Sequence, residues 1–95
     1  MATSRHQRIE AVLTEAFHPL RLEIIDESDR HRGHAGHRPE GETHFRVEIV
    51  ATAFEGLSRL DRQRLVHRAL AGEFAASLHA LSLKALAPGE DRRPV

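Results

Sequence analysis

The chain has no cysteine, no net charge before histidine is counted, and no long apolar run. The missing cysteine excludes structural disulfides, a CxxC redox motif and any self-contained thiolate metal site. An iron–sulfur cluster associated with this chain would have to take its thiolates from another molecule. Lys+Arg and Asp+Glu both total 14, so the charge balance demands no polyanionic partner. No apolar stretch approaches the ~20 residues of a membrane span, and MATSRHQR at the start has no signal-peptide core. A soluble, cytoplasmic protein is the expectation. Catalysis is poorly provided for. No nucleophile sits in a recognisable elbow or triad and no glycine-rich phosphate motif precedes a helix, so a non-enzyme is expected. Glu42 and His44 as an acid–base pair read better as strand-edge structure.

Histidine is what the chain has in quantity, eight of them in 95 residues. Four lie in or beside one stretch, Asp29 to His44 (DRHRGHAGHRPEGETH): His31, His34, His37 and His44. Gly33, Gly36, Pro39 and Gly41 make this stretch a loop. Hairpin loops usually take two to five residues, and longer ones carry function or are disordered. Imidazoles suit iron, zinc, copper and nickel, but a histidine-rich tract is compositional evidence that a solvated, variable loop satisfies equally well. Structural zinc, with four protein ligands at ordered spacing, fits less well. Gly33-His34-Ala35-Gly36 imitates the GxxG of KH domains, but there the loop joins two helices, and here it joins two strands.

One domain is expected, with a core over about residues 5–87 and a flexible tail over 88–95. Ser4 and Gln7 have the spacing of a capping box. Ile9, Val12, Leu13, Ala16 and Phe17 then form one helical face, ended by Pro19. Leu20, Leu22 and Ile24 alternate with charged residues as a half-buried strand. Phe45, Val47 and Ile49 do the same over His44–Val50. Thr52–Leu57 reads as a turn. Ser58 opens a second helix with Asp61 in its first turn, where the dipole favours an acid. Its apolar face is Leu65, Val66, Ala69, Leu70 and Phe74, with Arg62, Arg64 and Arg68 largely off it. The last strand is Leu78–Leu86. A helix between the second and third strands makes a crossover, so those two run parallel. Parallel strands start at one end of the sheet. His79, near the start of the last strand, therefore belongs near His44 and the loop. From spacing alone His79 shares the parity of Leu81 and Leu83 and reads as a histidine capping the edge of the core.

The segments Asp26–Ser28, His31–Gly36, Glu42–Val50, Phe54–Leu70 and Leu78–Ala85, in this order, resemble the BolA family over nearly the whole chain. The resemblance implies an α+β fold like the second type of KH domain, α-β-β-α-(α)-β, with a three-stranded mixed sheet, helices on one face and a short extra helix around Gly56–Leu60. It implies an adaptor that binds a monothiol glutaredoxin and shares a [2Fe–2S] cluster, in cluster trafficking or iron and redox regulation. In such a complex the glutaredoxin contributes its cysteine and glutathione the remaining thiolate. His79 would be one cluster ligand, and a histidine of the loop the second. Gly33 and Gly36 bracket His34, which favours it. His31, which aligns better when counted from Asp26, and His37 are the alternatives. The other reading is a DNA-binding transcriptional regulator using the Phe54–Phe74 helical region. The free chain is expected to be a monomer or weak dimer.

With no thiolate, and with imidazoles alone not the usual ligands of a cluster, the isolated chain in thiol-free buffer should take up no iron–sulfur cluster. A stable visible chromophore on the isolated chain after incubation with iron and sulfide would contradict this.

Overall fold

The computed structural model describes residues 4–27, 44–76 and 80–91. The capping box forms: the Gln7 amide donates to Ser4 Oγ at 3.1 Å, and the Ser4 amide donates to Gln7 Oε1 at 3.0 Å. It starts α1 (Arg5–Phe17). The helix ends one residue before Pro19, at His18, whose φ of 45° is left-handed and whose amide donates to Thr14 O at 2.9 Å. Three strands follow, β1 (Arg21–Asp26), β2 (His44–Val50) and β3 (Ala80–Leu86), with α2 (Arg59–Ala69) and α3 (Ala71–Ala76) between the last two. Ser58 caps α2 by accepting from the Asp61 amide at 3.1 Å.

The sheet order is β1-β2-β3. β1 pairs with β2 antiparallel, from Arg21 opposite Val50 to Asp26 opposite Phe45. β2 pairs with β3 in parallel, from His44 opposite Ala80 to Val50 opposite Leu86. The crossover topology is therefore as the element order requires. All helices lie against one face. Ile9 and Leu13 of α1, Phe45, Val47 and Ile49 of β2, Ala51, Phe54, Val66 and Leu70 form a single buried cluster. Leu22, Ile24, Leu81 and Leu83 pack on it from the outer strands. Each large apolar side chain so buried contributes roughly 1.5–3 kcal/mol.

Four details depart from the sequence reading. Leu20 precedes the first strand and is 66% exposed, so β1 holds Leu22 and Ile24 as its inward residues. The short extra helix does not lie at Gly56–Leu60: a 3-10 turn occupies Thr52–Phe54, and Gly56, at φ 76°, makes the turn before Ser58. That conformation is open to glycine at little cost. The second helix is two helices. Leu70, at φ −96° and ψ 13°, interrupts the helical geometry, and Gly72, a poor helix former, is the second residue of α3. Leu70 stays in the core, Phe74 packs on it, and His67 stacks on Phe74 with ring centroids 5.1 Å apart. Finally, the chain is held beyond Leu86. Pro88–Glu90 forms a 3-10 turn, and Asp91 pairs with Arg21 at 2.8 Å. Arg21 also meets Glu48 at 2.6 Å and Glu23 at 2.9 Å. Glu23 and Glu48 face each other across the strands, an arrangement that destabilises a sheet unless a cation intervenes. Hydrogen bonds to Asp91 and Glu48 drive the Arg21 pKa still higher.

Leu13→Ala removes a fully buried side chain and should cost about 2–5 kcal/mol in a denaturant titration. Leu20→Ala, at an exposed site, should change stability by less than about 0.5 kcal/mol. Equal losses would place Leu20 in the core.

Candidate functional site

The site is the end of the sheet where β2 and β3 begin and β1 finishes. Parallel pairing sets His44 beside Ala80, the residue after His79 in sequence. On the other side the Glu27 amide donates to His44 O at 2.7 Å, extending the β1–β2 ladder one residue past Asp26. Phe45, 2% exposed, anchors the start of β2 in the core. His44 itself is half-buried. Arg46 and Glu27 approach at 3.6 Å with Arg46 half-exposed, a weak pair.

A histidine absent from the sequence-derived ligand set stands at this end. His6, in the first turn of α1, donates its Nε2–H to Ile24 O at 3.1 Å and lies tilted against Phe45, centroids 6.4 Å apart. The carbonyl can only accept, so Nε2 carries the proton. The signal was present: His6, Ile9 and Leu13 fall at i, i+3 and i+7, so the apolar stripe extends one turn back to His6.

Beside His6 a second contact ties the helices together. Arg5 Nε and Arg8 Nε both donate to the Glu73 carboxylate of α3, at 3.1 and 3.0 Å. Glu73 is 14% exposed and Arg5 10%. The Arg8 hydrogen bond, followed by that from Arg5, holds the Glu73 carboxyl below its ordinary pKa against the opposing effect of burial. α3 ends at Ala76, just ahead of the segment that leads into β3.

His31, His34, His37 and His79 lie outside the described residues, as do Glu42 and the Gly33–Gly36 motif. What the fold does bring together is His44, Ala80, His6 and the end of β1. Among the described residues no group of three or more His, Cys, Asp or Glu side chains could hold a metal ion. The arginines of α2 divide. Arg62 is not on a solvated face: its side chain is 11% exposed and donates to Leu57 O at 3.0 Å and to Ala85 O at 3.1 Å, and it pairs with Glu90. Arg59, Arg64 and Arg68 are exposed. No helix among the described residues is long and apolar enough to cross a membrane.

An α-β-β-α-α-β chain with one mixed three-stranded sheet and helices on one face defines a small α+β module. The family model described as BolA-like protein matches residues 13–90, and the chain belongs to that family. It is 50% identical over 88 residues to an uncharacterized protein of the cobS 5′ region from Sinorhizobium, covering 92% of this chain and 95% of that one. It is 43% identical over 77 residues to the Escherichia coli DNA-binding transcriptional regulator BolA, covering 81% and 70%. The solved BolA domain of SufE1 from Arabidopsis thaliana superposes with a TM-score of 0.83 at 41% identity, covering 96% and 100%. Other relatives are longer: the chain spans 58% of mouse BolA-like protein 1 and 24% of the Arabidopsis SufE-like protein 1.

A carboxylate whose folded pKa is depressed stabilises the fold above its unfolded value, and that contribution disappears as pH falls through the folded value. Glu73→Gln should therefore be less stable than the wild type at neutral pH, with the gap closing as pH falls through and below the usual carboxylate range. A gap that is constant with pH in acid titrations followed by circular dichroism would contradict this.

Proposed function

We propose that the chain is a non-enzymatic adaptor that binds a monothiol glutaredoxin and shares a [2Fe–2S] cluster with it. His79 and one histidine of the loop, His34 in preference to His31 or His37, supply nitrogen ligands. The glutaredoxin cysteine and glutathione supply the thiolates this chain lacks. The observation that carries the reading is the parallel β2–β3 register, which sets Ala80, the residue after His79 in sequence, beside His44, the residue at which the histidine-rich sequence ends. Family membership supports it. The donor chemistry fits: the chain offers imidazoles and no thiolate. A histidine on one iron raises the cluster's potential relative to four thiolates and makes its retention depend on proton concentration near neutral pH. Such a property suits transfer or sensing in iron–sulfur trafficking. The setting we propose is cytoplasmic, although a relative's name includes chloroplastic and mitochondrial.

A second reading has one observation in its favour, the 43% identity to a relative named as a DNA-binding regulator. It would use the helical region Phe54–Phe74. Of its arginines Arg62 is committed to Leu57, Ala85 and Glu90, leaving Arg59, Arg64 and Arg68 for phosphates. A salt-dependent shift of duplex DNA by the free chain would support it.

Mixing the chain with glutaredoxin, iron, sulfide and glutathione should give a visible spectrum distinct from that of glutaredoxin alone. His79→Ala should fold normally and change that spectrum. His34→Ala should loosen the cluster and weaken its pH dependence, with His31→Ala and His37→Ala doing much less. A wild-type spectrum from a folded His79→Ala complex would remove it as a ligand. An intact cluster in His34→Ala with loss in His31→Ala would move the loop assignment to His31.

A further inference from the structure

We propose that the free edge of β3, with the groove between it and the start of α2, docks an extended acidic segment of a partner protein as a fourth strand of the sheet. The inference does not rest on cluster sharing. Among the described residues β3 is an edge strand. The Ala51 amide donates to Leu86 O at 3.0 Å. By the alternation of a parallel ladder, Leu86, Lys84 and Ser82 turn their backbone groups to β2, and Leu81, Leu83 and Ala85 turn theirs outward. Ala85 O is taken by Arg62. The amides of Leu81, Leu83 and Ala85 and the carbonyls of Leu81 and Leu83 remain directed at the edge. An edge with outward-pointing donors and acceptors is a template for strand addition. The β1 edge differs, because His6 of α1 already occupies Ile24 O.

Beside the β3 edge lies a groove of about 420 Å³ whose apolar lining is Leu57, Leu83, Ala85 and Leu86. Its wall is fixed, since Arg62 holds Leu57 O and Ala85 O at once. Three cations line it, Arg59, Arg62 and Lys84, against one anion, Glu90, a local charge of 3 − 1 = +2 in a chain of net charge 0. Arg62 and Glu90 satisfy each other. The surplus is Arg59, exposed, and Lys84, 67% exposed, whose pair with Glu48 is long at 3.7 Å and weak at the surface, that carboxylate being held by Arg21 at 2.6 Å. Alternating side chains of an added strand would place apolar groups over Leu83 and Ala85 on the helix face and carboxylates beside Lys84 on the opposite face, with Arg59 at the α2 end of the groove. Ala85 lies five residues along β3 from Ala80, roughly 16 Å, so this surface and the histidine end of the sheet can be engaged together.

The test is a titration of the ¹⁵N-labelled full chain by NMR with a capped octapeptide alternating Glu and Val. A Lys–Val octapeptide and a ten-residue oligothymidylate serve as comparison probes. The Glu–Val peptide should shift the amides of Leu81, Leu83 and Ala85 and slow their hydrogen exchange. Arg59→Glu combined with Lys84→Gln, both at exposed positions and with the fold checked by the same spectra, should weaken binding about tenfold. No shift at the three amides, equal binding of the Lys–Val peptide, or binding of the oligonucleotide in place of the peptide would each overturn the proposal, the last assigning the groove to nucleic acid.

Discussion

Two parallel strands must start at the same end of their sheet, and the β2–β3 pair is where this chain meets that requirement. Between those strands the chain must return along the length of the sheet, which takes α2 and α3. The consequence is that the end of the loop after β1 and the end of the segment after α3 meet at His44 and Ala80, residues 36 apart in sequence. The core depends on the same pairing. β2 is central and fully inward at Phe45, Val47 and Ile49, and it can be so only with a strand on each side.

Electrostatics in this neutral chain are spent on long-range ties more than on surface. Arg5 and Arg8 reach Glu73, Arg21 reaches Asp91, and Arg62 reaches Glu90. The first joins α1 to α3, the second holds Asp91 against β1, and the third closes the corner where β3 leaves the sheet. These contacts sit at residue separations of 68, 65, 70 and 28, so they report the tertiary fold rather than local preference. They also bear on partner choice. An arginine bonded to two backbone carbonyls and a carboxylate is poorly available to phosphate, which weakens the nucleic-acid reading of α2.

Periodicity made much of this legible. The capping box at Ser4 and Gln7, the inward residues of β2, its bounds at His44 and Val50, and the parallel crossover all follow from spacing of two or 3.6 and from element order. What escaped has physical reasons. The break at Leu70 lies within an unbroken apolar face, because both helices bury the same side, and only a backbone dihedral distinguishes them. Arg62 lies largely off the apolar stripe by spacing, yet its guanidinium folds back onto Leu57 O and onto Ala85 O, which only the tertiary structure brings near. Asp91 looked like part of a charged tail because its partner, Arg21, is far away in sequence. His6 precedes the first aliphatic residue of the α1 stripe, and what its ring meets, Ile24 O and Phe45, comes from the strands. The metal-ligand expectation for His31, His34, His37 and His79 falls outside the described residues, and the sheet end they flank is what the fold contributes.

The central claim is that imidazole nitrogens from this chain ligate a cluster whose thiolates come from others. Pulsed electron paramagnetic resonance of the reduced glutaredoxin complex tests it directly when only the histidines of this chain carry ¹⁵N. The account predicts ¹⁵N hyperfine couplings of ligated imidazole, with those of one nitrogen lost in His79→Ala. A reduced cluster in the complex without ¹⁵N ligand couplings would contradict it.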